Sequence, residues 1–271
     1  FDKTDISGRV KYLVGPTAMT TSLNMNGFSI TLLKLDEEIE KALLEKTDTP
    51  EWRIRAYGKP SSIKSPELPK TMQFEPSENK KHQKIVENIA DYLIEMEKEM
   101  NDLDEKVGDG DAGSTFAAAG KKFKKVSDKL PYASLPQLFT TIGRVLARET
   151  GGSSGVLLSM LFTKAGSSLE ENDNVGRALL SGLEKMKSYG GAEQGARTMI
   201  DAMQPAFEGL SEKKSIKEAA EAARKGADKT AKITNTSAGR SSYLSESSLE
   251  GIPDPGAEMV ARVFEKLVDI V

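Results

Sequence analysis

The sequence predicts a mostly α-helical protein, and three observations carry that expectation. Aromatic residues make up only 6% of the 271 positions, while Ala, Leu, Met, Glu and Lys, all good helix formers, are common. From about residue 79 to the last residue, apolar side chains recur at helical spacing. The periodic segments number eight and are separated by short turns, which is the pattern of an antiparallel up-and-down barrel or bundle. A smaller α/β fragment is expected ahead of it.

In that first fragment, residues 1–60, Leu13-Val14 and the run Phe28 to Leu33 read as short strands with a turn over Thr20–Gly27 between them. Asp36 to Lys46 reads as a short helix. Residues 61–78 follow as a linker: Pro60, Pro66, Pro69 and Pro76 punctuate Ser- and Lys-rich sequence, which favours extended chain. Residues 79–271 form the helical domain.

The first barrel helix carries the stripe Ile85, Ile89, Leu93, Met96, Met100 and Leu103. The second holds Phe116, Ala119, Phe123 and Val126, and its run Lys121-Lys122-Phe123-Lys124-Lys125 reads as a solvated face. A third begins near Ser134-Leu135-Pro136, with proline in the first turn, and carries Leu138, Phe139, Ile142, Val145 and Leu146. After a turn over Gly151-Gly152-Ser153-Ser154-Gly155, Val156 to Leu169 forms the fourth. Val175, Leu179, Leu183 and Met186 mark the fifth, and Met199, Ile200, Met203 and Phe207 the sixth. Ala219, Ala223 and Ala227 mark a seventh whose small residues permit close packing. Asp254 caps an eighth with Pro255 in its first turn, and Val260, Val263, Phe264 and Leu267 form its apolar face.

The bulk chemistry narrows the function. A net charge of −3 gives no basic field for nucleic acid. Zero cysteines exclude disulfides, thiolate metal sites and cysteine nucleophiles, and fit a cytoplasmic protein. No apolar run is long enough to span a bilayer. The first residue is Phe1, which fits a segment of a longer gene product.

One stretch stands out chemically. Asp104, Asp109 and Asp111 fall within eight residues, among glycines at 108, 110 and 113 that allow sharp turns. Clustered carboxylates repel, and a hard cation such as Mg²⁺ or Ca²⁺ relieves them. Gly113, Ser114 and Thr115 open a helix, whose free N–H groups suit phosphate. The stretch therefore offers a metal cradle and an anion cradle side by side. An Asp/Gly-rich turn also serves as a plain solvated loop, and the stretch alone leaves both readings open. An EF-hand fits less well, because position twelve counted from Asp104 is Thr115 rather than Glu. A Rossmann loop fits poorly as well, since no buried strand leads into it.

The string Leu103-Asp104-Glu105-Lys106-Val107-Gly108-Asp109-Gly110-Asp111-Ala112-Gly113-Ser114-Thr115 resembles the signature of the nucleotide-binding L domain of the dihydroxyacetone kinase family. Gly151 to Gly155 fit the same family, as do Gly239-Arg240-Ser241-Ser242-Tyr243 and Asp254-Pro255-Gly256-Ala257, in the right order. Ser22 to Asp36 resembles the end of its dihydroxyacetone-binding K domain. The resemblance implies the single-chain, ATP-dependent type of kinase, with residues 1–60 as a C-terminal K-domain fragment and 79–271 as a complete eight-helix L domain. It implies that Asp104, Asp109 and Asp111 bind two Mg²⁺ ions bridging the phosphates of ATP. Ala112, Gly113, Ser114, Thr115, Ser153 and Ser154 match phosphate-facing positions. Gly190 and Met199 match the adenine pocket, Arg240 an arginine near the nucleotide, and Asp254, Pro255 and Gly256 the last nucleotide-contacting turn. The implied reaction is phosphorylation of dihydroxyacetone or glyceraldehyde in glycerol metabolism, in a homodimer whose K and L domains face across chains, with no nucleic-acid or membrane partner.

Two departures qualify that reading. Position 112, commonly His or Cys in the family, is Ala here. The family holds dihydroxyacetone through a K-domain histidine, whereas the one histidine here, His82, begins the first barrel helix and reads as an exposed helical residue. By itself the chain is therefore expected to bind Mg·ATP without turning over dihydroxyacetone, and no residue is assigned a catalytic role. Two alternatives stay open: a FAD-AMP lyase (cyclising) activity at the same site, and a non-catalytic nucleotide-binding carrier or regulatory module.

Overall fold

The computed structural model describes residues 10–15, 31–47, 54–56, 74–149, 152–236 and 238–271. Two compact units divide the chain, Phe1–Thr71 and Met72–Val271. In the first, strands β1 (Tyr12–Val14) and β2 (Ile54–Ala56) pair antiparallel with Tyr12 opposite Ala56. Helix α1 (Glu37–Leu44) starts where Asp36 accepts a hydrogen bond from the Ile39 N–H at 2.8 Å. Glu40 ties this helix to β1, accepting from the Tyr12 hydroxyl at 2.7 Å and pairing with Lys11. Of the expected second strand, Phe28–Ile30 lie outside the described residues, as does the turn over Thr20–Gly27, and Thr31–Leu33 are not in a strand. The partner of β1 comes instead from beyond α1. A three-residue strand with a partner some forty residues away leaves too short an alternation to read locally.

The second unit is the expected helical barrel. The first predicted helix is two: α2 (Lys80–Glu95), capped by Asn79, and α3 (Glu97–Asp104), with a break at Met96. Next come α4 (Ala112–Val126), α5 (Leu135–Glu149), α6 (Gly152–Leu169) and α7 (Val175–Gly190). The others are α8 (Ile200–Ser211), α9 (Ile216–Thr230), the single-turn α10 (Glu246–Leu249) and α11 (Pro255–Ile270). Each long helix packs on the next, and α11 packs back on α2, which closes the ring.

Neighbours run antiparallel. On α5 and α6, Gly143 lies against Ser159 and Thr163 while Gly166 lies against Pro136 and Thr140, so a Cβ at either glycine would come within 2.4 Å of the facing helix. On α11 and its partners, Arg262 reaches Glu99 on α3 and Lys266 sits 5.5 Å from the Tyr92 ring on α2. The start of α11 therefore runs beside the end of α3.

Apolar faces fill the interior. Leu161, Leu183, Ala202, Ala219, Ala223 and Ala227 are fully buried in the largest cluster, and Met96, Met100 and Met259 join α2, α3 and α11 in another. The alanines that mark α9 do face the core. Burying a leucine or methionine side chain contributes roughly 1.5–3 kcal/mol and an alanine methyl less, on the order of 1 kcal/mol, and together these outweigh the weak propensity of isolated helices.

Two local expectations change. Helix α6 begins at Gly152, so Ser153 and Ser154 lie in its first turn rather than in a preceding loop. His82 is partly buried, with Nδ1 2.7 Å from the Tyr132 carbonyl oxygen; for that contact to be a hydrogen bond the proton sits on Nδ1. The Tyr132 N–H in turn donates to the Ser77 carbonyl, so residue 77 is pinned along the barrel.

Candidate functional site

In an up-and-down barrel every second connection falls at the same end. The α3–α4 loop, the start of α6, the α7–α8 connection and the segment between α9 and α11 share one end. All the predicted site residues are on these segments.

At the α3–α4 loop, carboxylate oxygens of Asp104, Asp109 and Asp111 lie within 4.8 Å of one another. Two carboxylates at that separation repel by about 1 kcal/mol in water and by ~3–4 kcal/mol at an effective dielectric near 20. The three differ. Asp104 is 9% exposed, and its Oδ2 accepts from the Asp111 and Ala112 N–H groups at 3.0 and 3.2 Å, while Asp109 and Asp111 are exposed. Asp104 thus caps α4 and is locked in place. The turn that returns the chain demands glycine at 108, since a Cβ there would sit 2.2 Å from Asp104 Oδ1. Gly110 has φ +77, in the left-handed region.

The opening of α4 is held by a residue that sequence reasoning missed. Asn101 accepts from the Ser114 N–H at 3.0 Å and donates to the Ser114 hydroxyl at 3.0 Å. Gly113 is buried against the same helix, where a Cβ would come within 2.0 Å of the Glu97 carbonyl oxygen. Asn101 sits three residues before Asp104 on the same face of α3, which is the signal that could have found it. An all-oxygen donor set of three carboxylates, one preoriented by backbone N–H groups, fits Mg²⁺ and suits no soft metal.

Across the rim, Gly190 is the last residue of α7 and faces Leu157 on α6, and the left-handed Gly191 ends the helix. Met199, at the N-cap of α8, is 9% exposed, and its side chain lies 3.3–3.4 Å from where a Cβ of Gly256 would be. The structure thus brings Met199 to the Asp254–Gly256 turn. Asp254 caps α11 by accepting from the Ala257 N–H at 2.8 Å, and the Thr230 hydroxyl accepts from its own N–H at 2.8 Å. Burial raises the Asp254 pKa to about 6; the Ala257 and Gly256 N–H groups and the Arg197 charge pull it back, and Asp201 pushes it up. Arg240 begins the single-turn 3₁₀ helix Arg240–Tyr243.

Behind the turn lies an ionic network. Glu258, 7% exposed, receives Arg224 through two N–H···O bonds of 2.6 and 3.2 Å and Arg262 at 2.6 Å. Arg224 also bonds Glu265 at 2.7 Å, and Arg262 bonds Glu99 on α3 at 2.5 Å. Burial works to raise the Glu258 pKa, but hydrogen bonds from the two arginines outweigh it and leave the carboxyl below its ordinary value. Arg262 thereby links the helix that presents Asp254 to the helix that presents Asp104.

Among known proteins, the family model for the DAK2 domain matches residues 106–269. The dihydroxyacetone kinase of Citrobacter freundii is 44% identical over 268 residues, covering 97% of this chain and 49% of that protein. The human triokinase/FMN cyclase is 31% identical over 271 residues, covering 93% and 47%. Crystal structures of the C. freundii kinase, in its native form and in complex with AMP-PNP and Mg²⁺, superpose with a TM-score of 0.68 at 41% identity, covering 98% of this chain and 48% of theirs. The chain spans about half the length of the relatives it matches. A family match over most of the barrel and these identities together show that the chain belongs to the dihydroxyacetone kinase family.

Proposed function

We propose that this chain supplies the Mg·ATP-binding part of an ATP-dependent kinase that phosphorylates dihydroxyacetone or glyceraldehyde. The observation that carries the reading is the cluster of Asp104, Asp109 and Asp111, whose oxygens lie within 4.8 Å at the mouth of α4. A polyphosphate cannot approach three carboxylates without cations between them. Asp104, Asp109 and Asp111 would hold two Mg²⁺ ions, which when bound neutralise charge on the transferring phosphoryl group. The chain's own part is to bind and orient. At the opening of α4 the Ala112 and Ser114 N–H groups are taken by Asp104 and Asn101, so the hydroxyls of Ser114 and Thr115, with those of Ser153 and Ser154 in the first turn of α6, would meet phosphate. Gly190, Met199 and the Asp254–Gly256 turn form the base side, and Arg240 supplies positive charge near the phosphates.

Residues 1–60 act as the end of a K domain and 61–78 as the linker. The histidine that would hold dihydroxyacetone belongs to the rest of the K domain, because His82 is engaged by the Tyr132 carbonyl. In-line transfer needs the acceptor hydroxyl at near-attack distance, so the 271 residues bind Mg·ATP but need a K domain for turnover. Val156, Tyr189, Tyr243 and Leu244, exposed large apolar side chains on segments of the site end, support docking of that domain there, in a homodimer with K and L facing across chains. No described helix is long and apolar enough to cross a membrane, and the proposed location is the cytoplasm.

Calorimetric titration with Mg·ATP, followed by a coupled ADP-release assay with dihydroxyacetone, tests this. Binding without turnover, and turnover on adding K domain, is expected; dihydroxyacetone-dependent turnover by the chain alone would show that the acceptor site is misplaced. The name of the human relative, triokinase/FMN cyclase, favours a second reading, FAD splitting at the same site, which assay with FAD and Mn²⁺ or Mg²⁺ distinguishes.

A further inference from the structure

We infer that Arg197 is a positioning residue for the base side of the site, fixing the segment before α8 against the Asp254–Gly256 turn. The inference rests on the Mg·ATP reading and extends it to a residue to which the family resemblance assigns no role. Arg197 is 0% exposed, the largest fully buried side chain among the described residues, and has φ +57. A buried guanidinium and a left-handed non-glycine backbone each cost free energy, and a chain keeps both only where the surroundings over-determine them.

The surroundings here are two segments of the site. On one side, Nη2 donates to the Ile252 carbonyl at 2.9 Å, two residues before Asp254, and the Asp254 carboxylate attracts the guanidinium. On the other, the backbone around Arg197 is pinned. Asp201 accepts from the N–H groups of Gly195 and Thr198 at 2.5 and 2.9 Å, and the Thr236 hydroxyl donates to the Ala196 carbonyl at 2.6 Å. Nε and Nη1 have no hydrogen-bond partner among the described residues. Among the described residues, the polar hold on the side chain therefore rests on Ile252 and Asp254. Two residues on, Met199 lies against Gly256. Arg197 thus sets the spacing between the two segments that carry the base-side residues, while the Asp104 cluster is held independently by α3 and α4.

That independence supplies the test. Mg·ATP and Mg·tripolyphosphate, which lacks the base, are titrated calorimetrically into the 271-residue chain and its Arg197→Lys and Arg197→Met variants. Lysine keeps the charge but cannot hold the carbonyl and the carboxylate together. Arg197→Lys is expected to weaken ATP about tenfold while tripolyphosphate changes less than about twofold. Arg197→Met should show the same pattern more strongly. If it fails to fold, Asp254→Asn, which removes the attraction but keeps the acceptor for the Ala257 N–H, should show the selective loss instead. Equal losses for both ligands, or unchanged ATP affinity in the lysine variant, would overturn the inference while leaving the Mg·ATP reading intact. A wild-type chain that binds neither ligand would overturn both.

Discussion

Two acidic clusters lie at the same end of the barrel and are held in opposite ways. Glu258 is nearly buried and is gripped by Arg224 and Arg262, so its charge is compensated within the protein. The Asp104 cluster is organised by backbone instead: N–H groups of residues 111 and 112 hold Asp104, and neither Asp104 nor Asp111 meets a lysine or arginine at ion-pair distance among the described residues. The first arrangement is finished without a ligand and braces the helices that meet there. The second concentrates carboxylates where solvent reaches two of them, and the proposed Mg²⁺ site rests on that feature.

The comparison is broken hardest at its compensated side. Glu258→Ala leaves two partly buried arginines short of their shared carboxylate and should cost about 3 kcal/mol, softened by Glu265 and Glu99. Urea unfolding of the Met72–Val271 unit's signal measures it, and a loss below about 1 kcal/mol would mean the network is ornamental. Mg²⁺ should not rescue the variant.

The open cluster should respond in the reverse sense. Asp109→Ala and Asp111→Ala are expected to lower Mg·ATP affinity at least about a hundredfold, roughly 2.7 kcal/mol, with the apo stability of Asp111→Ala held or slightly raised. Asp104→Ala should differ from Asp111→Ala, because it removes the acceptor of two N–H groups at the start of α4 and costs about 1–2 kcal/mol of apo stability. Equal apo stabilities for Asp104→Ala and Asp111→Ala would erase the distinction between a carboxylate that caps α4 and one that does not.

Asp254 lies between the two cases, capped by N–H groups yet beside a buried arginine. Its pKa is raised to about 6, so its contribution favours the fold when protonated; that stability is present below its unfolded pKa and is lost as pH rises through about 6. Asp254→Asn keeps the cap and removes the titration. The variant's Tm relative to wild type should therefore rise between pH 4.5 and 7.5, by an amount worth ~1–2 kcal/mol once solvent relaxation is allowed for. A pH-independent difference would contradict the raised pKa.

The smallest effect is expected at Ala112, which is partly buried and gives its N–H to Asp104. Ala112→His and Ala112→Cys restore side chains common in the family. A shift of up to about threefold in Mg·ATP affinity is expected, against none for Lys121→Ala on the exposed face paired with Glu97. Identical null effects would mean that this position works through its backbone alone.

Much of this was legible residue by residue. Asp254 caps its helix as its position before Pro255 implies, and Asp36 caps α1 at the start of the expected helix; the caps at Asn79, Asn174 and Ser215, the last in a reciprocal capping box with Glu218, are added by the structure. Stripes such as Ile200, Met203 and Phe207 are buried as their spacing implies. The start of α6 was misread because Gly and Ser are weak helix formers that also make turns, and in this fold Gly152 lies within the helix. The partner strand β2 was missed because only pairing with β1 gives it an identity.

What the sequence by itself determined is therefore whatever depends on neighbours a few residues apart: the helices, their caps, the apolar faces, and the three aspartates on one glycine-rich turn. Only the tertiary structure decided which polar groups complete that turn and its surroundings. Asn101 meets Ser114, Arg262 joins Glu258 to Glu99, and Arg197 reaches the Ile252 carbonyl, 55 positions along the chain. Helix propensity and amphipathic period are local properties, whereas burying a charge is tolerable only once a distant partner has been brought beside it, and that partner is chosen by the closure of the barrel.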